Sequence, residues 1–299
     1  MPAISSAPLR FVAESIHQVP RITPPTTSFF EFRLSWPPVW CSKTFAKETM
    51  WNRLILILTL GATAGIFVIP LNPVNSKILK LAFLGCIIGA WLGFTILGWK
   101  SKPLRIVALT LPFIGLIPFI LPSGDIDPKE LRQDYVRRMN EFEGTKYFWG
   151  GESSRGIDCS GLPRRAFRDA LLAYGIKHFN GRAFRAYIEQ WWFDASAKAL
   201  GEGYRSYTSP IGTSGTIQQV DYTSLVPGDL AVTTSGVHIL AYAGDGQWIQ
   251  ADPDIGAVVT LDGRTGDNGW FSTPVTTHRW QLLALDKGTS EQDADGNPH

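Results

Sequence analysis

Two residues stand in settings that could support nucleophilic chemistry. Cys159 lies in Gly156-Ile157-Asp158-Cys159-Ser160-Gly161-Leu162, directly before a helical pattern. A thiol at a helix N-terminus feels the positive end of the helix dipole, which favours the thiolate. Unpaired backbone N–H groups there can also hold an oxyanion. From this setting alone, a small buried cysteine is an equally good reading. His238 is the natural base. It opens the expected strand Val237–Ala243, after the turn Thr234-Ser235-Gly236. An imidazole there could face the helix N-terminus and take the thiol proton, although a lone strand histidine is more often structural. His178, in an expected loop, and His278, opening a late strand beside Arg279, compete with it from poorer settings. The base needs a partner on its second ring nitrogen. Gln250 and Asp252 sit on one face of the next expected strand, and either could serve.

These residues need a helix behind the thiol and a sheet behind the base. Asp127 reads as the N-cap of a helix through about Phe142, and a second helix follows Cys159 to about Tyr174. Residues 182–200 carry a helical spacing that includes Trp191 and Trp192. After Pro227 the pattern becomes short strands at 229–234, 237–243, 247–252, 256–262 and 278–285, with Gly244-Asp245-Gly246 as a hairpin turn. Helices followed by antiparallel strands define an α+β domain over 123–286, and 287–299 form a polar tail.

Five ordered segments together resemble the NlpC-type cell-wall cysteine endopeptidase family. They are Tyr147-Phe148-Trp149-Gly150-Gly151, the Cys159 segment, Pro227-Gly228-Asp229-Leu230, Val237-His238-Ile239-Leu240-Ala241-Tyr242 and Trp248-Ile249-Gln250-Ala251. The resemblance spans about residues 128–285 and implies a compact papain-like fold. It implies that Cys159 is the nucleophile, His238 the base and Gln250 the third polar residue. It further implies that the Tyr147 hydroxyl borders the oxyanion site, and that Asp158 and Ser160 help hold the free amine of a stem peptide. The implied substrate is a peptidoglycan stem peptide, cut at the amide between D-γ-glutamyl and a diamino acid, with no metal or organic cofactor. Two features depart from the family. Pro163 falls in the first turns after Cys159, where it is expected to bend the helix. The chain between Cys159 and His238 is long, with the excess in an insertion at about 178–215 that reads as a lid, a wall or a surface decoration. Trp191 and Trp192 are expected to pack that insertion down. Two other functions stay open. One is a cysteine acyltransferase or amidase on a non-wall substrate. The other is a tethered wall-binding module with a dead site.

The first part of the chain is different in kind. Residues 54–122 hold five Lys and Arg and no acid, and contain apolar runs at 54–71, 81–99 and 106–121. A spanning helix needs about 20 apolar residues, so the first two runs qualify. The third is short and holds Pro112 and Pro118. It reads as a span lengthened by a snorkelling Arg105, or as a re-entrant or interfacial segment. Residues 51–122 thus form an anchor in the lipid bilayer. Ala62-Thr63-Ala64 resembles a signal-peptidase site, but the apolar run continues past it, which favours an uncleaved anchor. Lys43, Lys47, Arg53, Lys100, Lys102 and Arg105 against Lys77 and Lys80 place the N-terminus inside the cell. Three spans then put the α+β domain outside a bacterial cytoplasmic membrane, and two would put it inside. Residues 1–50, rich in Pro, Ser and Thr, read as disordered, or as an extension of a chain that begins at Met50.

Charge agrees with this division. Residues 1–122 carry 11 Lys and Arg against 3 acids, and residues 123–299 carry 17 against 23. An acidic second half argues against nucleic-acid binding. Three scattered cysteines, Cys41, Cys86 and Cys159, exclude a disulfide framework, and the lack of CxxC or a Cys/His cluster argues against structural zinc.

Overall fold

Three apolar helices come first in the computed structural model, which describes residues 40–284, with side chains from residue 49. They are α1 (Trp40–Val68), α2 (Lys77–Gly98) and α3 (Lys102–Ile120). Stretches of 23, 22 and 19 residues, the first running from Thr49 in α1 through the 3₁₀ turn to Leu71, are long and apolar enough to cross a membrane. Their large side chains, such as Ile57, Phe67 and Phe113, are mostly exposed, as a lipid-facing surface requires. Pro112 and Pro118 lie inside α3 without ending it. α1 begins ten residues before Met50, so its first turns fall in a stretch where no helical period was expected. The expectations for residues 1–39 and for the tail 287–299 lie outside the described residues. The chain divides into units Met1–Lys47 and Glu48–His299, and everything below concerns the second.

The α+β part follows. α4 (Pro128–Asn140) starts where Asp127 accepts from Lys129 N at 2.8 Å, and it buries a single stripe of Leu131, Tyr135 and Met139. β1 (Glu152–Ser153) and β2 (Gly156–Ile157) form a small hairpin. α5 (Gly161–His178) comes next. Pro163 does not break it, because its missing N–H lies in the first turn, where no intrahelical partner exists. The 182–200 pattern is two helices, α6 (Gly181–Trp192) and α7 (Ala197–Gly201), each capped by its own side chain, Asn180 and Ser196.

Strands β3 (Thr208–Gly215), β4 (Leu230–Thr233), β5 (Ile239–Gly244), β6 (Gln247–Asp252), β7 (Ala257–Asp262) and β8 (Val275–Trp280) form one antiparallel sheet in the order β3-β8-β4-β5-β6-β7. The expected insertion at 178–215 therefore ends in an edge strand of the main sheet. The last strand is β8, which starts three and ends five residues earlier than the expected 278–285, and a 3₁₀ turn occupies Gln281–Leu283.

α4 and α5 cover one face of the sheet. There Phe167 stacks on Trp280 at 4.4 Å, and the Trp280 indole donates to Tyr135 Oη at 3.1 Å. The other face is closed by Ile217, Val220, Leu225, Phe271 and their neighbours. The start of β4 is fixed by Pro227-Gly228-Asp229. Gly228 adopts φ +94°, a left-handed conformation suited to glycine. Asp229 accepts from Val226 N at 2.8 Å and from Arg279 Nε and Nη2, each at 2.7 Å. Asp229 is fully buried, so Arg279→Met leaves its charge stranded. The expected loss is about 3 kcal/mol, the low end for a broken buried pair, seen as an earlier denaturation midpoint of the full chain in detergent. A loss below about 1 kcal/mol would show that this pair is dispensable.

Candidate active site

Asp158 builds the floor of the site. Its Oδ1 accepts from Gly161 N at 2.6 Å and from Ser160 Oγ at 3.0 Å, and its Oδ2 accepts from Gly150 N at 2.9 Å. It thereby caps α5, a task Ser160 at the N-cap position does not perform with its own side chain. Asp158 N donates to Gly151 O at 3.0 Å. The hairpin packs so tightly on the helix start that a Cβ at Gly161 would collide with Gly151 O. Cys159 is held between these bonds. Both oxygens of Asp158 and the hydroxyl of Ser160 are thus engaged within the chain.

The Cys159 sulfur lies 3.9 Å from Val237 O. The N–H groups of Ile239, Ser160 and Cys159 itself also face it. The sulfur therefore touches the backbone on both sides of His238, across 78 residues of chain. His238 just precedes β5 and is locked by the β4–β5 turn. Its N–H donates to Thr233 Oγ1, and its carbonyl accepts from Thr233 N, both at 3.0 Å. Gln250, on β6, places Oε1 at 2.6 Å from His238 Nε2. Gln250 Nε2 donates to Asp252 Oδ2 at 3.2 Å and Asn268 Oδ1 at 3.3 Å. The amide nitrogen is committed there, so Oε1 is the acceptor and His238 Nε2 carries the proton. The lone pair is then on Nδ1.

This arrangement settles which of the two polar residues meets the ring. Gln250 does, and Asp252 stands behind it. Asp252, completely buried, also accepts from Asn268 Nδ2 at 2.7 Å and from the N–H groups of Asp254 and Ile255. Trp270 stacks on the imidazole at 4.1 Å with the planes 21° apart. Asn268 and Trp270 had no sequence signal, because they lie in a Gly-containing loop with no helical or strand period. The competing histidines are elsewhere. His178 ends α5 and faces Glu130 at 2.9 Å. His278 is buried in β8, with Nε2 2.9 Å from Thr276 Oγ1. Among the described residues, no group of three or more His, Cys, Asp or Glu side chains is placed to hold a metal ion.

The electrostatics differ from the expected thiolate. Burial, followed by the neighbouring Asp158 charge, pushes the Cys159 thiol up to about 12. Burial holds His238 below its ordinary value, although Gln250 and Asp252 act the other way. Both shifts favour a neutral thiol and a neutral imidazole as the resting pair. Tyr147 N donates to Gly256 O at 2.8 Å. Its hydroxyl is pushed up to about 12, by burial and then by Cys159 and Asp158, so it stays a hydrogen-bond donor. Phe148, Trp149, Val237 and Ile255, neighbours in sequence of these residues, are exposed.

Residues 144–266 match the model of the NlpC/P60 family. Among solved structures, NlpC1 from Trichomonas vaginalis is 21% identical, with 52% of this chain and 46% of that chain covered and a TM-score of 0.35. The peptidoglycan hydrolase RipB from Mycobacterium tuberculosis is 19% identical, with 59% and 86% covered and a TM-score of 0.33. The chain spans about half the length of the two Trichomonas proteins it matches. No curated protein matches the sequence.

The neutral thiol has a direct consequence. Iodoacetamide labelling of Cys159, followed peptide by peptide with mass spectrometry, should rise about tenfold per pH unit from pH 7 to 9, because thiolate grows that way below its pKa. A plateau already reached below pH 8 would show a preformed thiolate instead.

Proposed function

We propose, from the match of residues 144–266 to the NlpC/P60 family model, that this chain is a membrane-anchored cysteine peptidase that hydrolyses peptidoglycan stem peptides. The observation that carries the reading is the Cys159 sulfur lodged against the backbone flanking a His238 whose other nitrogen is taken by Gln250. The family supplies the expected bond, the D-γ-glutamyl amide of a diamino acid.

The chemistry follows from the resting state. As Cys159 Sγ attacks the carbonyl carbon, its proton passes to His238 Nδ1. Proton transfer during attack suits a neutral pair better than a standing thiolate. The charge that develops on the carbonyl oxygen meets N–H groups at the start of α5 and the Tyr147 hydroxyl. The His238 imidazolium then protonates the leaving amine, and the C–N bond breaks to give a thioester. Water, deprotonated by His238, attacks the thioester and releases the acid and the thiol. Gln250 is a positioning residue, since it holds the tautomer that exposes Nδ1. Asp158 and Ser160 would share their hydrogen bonds with a substrate amine reaching the floor of the site.

The anchor reading is supported by a bond pattern. Asn75 N donates to Gly150 O at 3.2 Å, and Glu152 N donates to Pro73 O at 2.9 Å. The linker between α1 and α2 therefore pairs with the hairpin of the α+β domain. Both must lie on one side of the membrane. Three crossings satisfy this, and two would put them on opposite sides. With the basic residues flanking the other ends of the helices held inside, the domain faces out.

The full chain in nanodiscs, given purified diaminopimelate-type muropeptides, should release products that mass spectrometry assigns to one amide, and Cys159→Ala should release none. Cleavage by neither would defeat the peptidase reading. Gln250→Leu should lower kcat roughly 10²-fold, the low end of what a positioned base contributes, with KM little changed. The acid limb of kcat/KM should fall below pH 6.5. His238 must be neutral to act, and burial moves its protonation to lower pH than a free imidazole. An acid limb above pH 7 would contradict this assignment.

A further inference from the structure

The domain does not stand on a stalk. Between the end of α3 and the start of α4 there are only residues 121–127, and they are pinned. Gly181 N donates to Pro122 O at 3.0 Å, and Asn180 Nδ2 donates to Gly124 O and Asp125 O at 3.1 and 3.0 Å. Arg185 Nη1 donates to Pro118 O and Leu121 O, the last carbonyls of the anchor, at 3.0 and 3.2 Å. Even released, seven residues extend to at most about 25 Å. The second attachment is the α1–α2 linker. Besides its two backbone bonds, Asn75 donates to Glu152, Arg155 Nη1 donates to Leu71 O at 3.0 Å, and Lys80 of α2 meets Asp194 at 2.7 Å.

The docked hairpin is the one that holds the nucleophile. Residues 73–75 pair with 150–152, and Gly151 in turn receives the N–H of Asp158. At about 4.8 Å per hydrogen-bonded spacing, the chain beside Cys159 is ~10 Å from the linker. The linker joins two apolar helices, so it marks the bilayer surface, where the headgroup layer is about 5–8 Å deep. Phe148 and Trp149, 45% and 80% exposed, project from the same docked segment. Exposed aromatic rings at that depth are at home in the headgroup layer. The thiol thus works at the lipid surface and cannot rise to a distant wall.

We infer that the substrate comes on a lipid of its own. The chemical class is a stem peptide still joined through its sugars to a polyisoprenoid or similar lipid anchor in the same membrane, rather than a peptide of finished wall. This rests on the peptidase reading above and specifies which form of that substrate the site meets. Confinement to one surface raises effective concentration to the millimolar range without any new contact, which is the advantage a docked site gains.

The test uses the full chain in liposomes. It receives the same stem peptide in three forms at equal bulk concentration: as a soluble muropeptide, on a lipid-linked disaccharide in the same liposomes, and on that lipid in separate liposomes. Products are counted by mass spectrometry. The expected result is cleavage at least tenfold faster in the shared bilayer than of the soluble form, with the gain lost when the lipid is in separate liposomes. Equal or faster cleavage of the soluble form, or no loss on separation, overturns the inference and leaves the peptidase standing. Cleavage of none of the three, by protein in which Cys159 is intact, overturns both.

Discussion

Asp158 spends both carboxylate oxygens on the chain that brackets Cys159. One oxygen caps α5 through Gly161 N and receives Ser160 Oγ, and the other holds Gly150 N across the hairpin. A carboxylate near a helix N-terminus is favoured by the helix dipole, and its hydrogen bonds to N–H groups are charge-assisted. The remaining features of the site depend on this anchorage. The hairpin can sit close enough to pair with the α1–α2 linker only because its inner side is tied down. The thiol can reach the backbone on either side of His238 only because α5 begins where Asp158 fixes it.

The same carboxylate works against the thiolate. A helix N-terminus is worth about 0.3–1 kcal/mol to an anion at an exposed site. Each tenfold change in ionisation costs about 1.4 kcal/mol, and Cys159 ends at about 12 through burial and the Asp158 charge. Burial is the larger effect, so the sulfur rests as a thiol. Catalysis by such a pair depends on a base whose lone pair is aimed and kept free of protons. Burial of His238 supplies the second condition and Gln250 the first. The Gln250 amide is oriented in turn by Asp252 and Asn268, and the ring is flanked by Trp270. A neutral glutamine in this position fixes the tautomer without adding a charge, which keeps the imidazole a weak base that gives its proton back easily.

Local chemistry made much of this legible in the sequence. The Asp127 cap, the helix after Cys159 and the strand at 247–252 follow from caps and period alone; the structure sets the Cys159 sulfur against Val237 O, next to His238, and His238 Nε2 against Gln250 Oε1. What escaped was non-local. β3 is built from Thr, Ser, Pro and Gly with a single Ile, and is a strand because β8, some 60 residues on, pairs with it. The break between α6 and α7 appears only when Asp194 leaves the helix to meet Lys80 and Arg164. Asn268 and Trp270 act through side-chain contacts that no spacing encodes. The upward shift of the Cys159 thiol has no sequence signal for a related reason: helix position can be read from sequence, but depth of burial cannot.

The docking of linker to domain is the least legible feature, and its physics explains its form. Lys80 from α2, Arg164 and Arg168 from α5, Glu152 from β1 and Asp194 from the α6–α7 turn form one connected cluster. Glu152 is held below the usual carboxylate range even though burial acts to raise it, because Arg164 and Arg168 outweigh that burial. Buried ion pairs add little net stability over apolar packing, but losing one member strands the others. Such a cluster is therefore better suited to fixing a register than to strengthening a fold. Here the register is that of α5 against α2. The helix that follows Cys159 is held at one level relative to the apolar helix α2, with three cations and two anions that only match when both are in place.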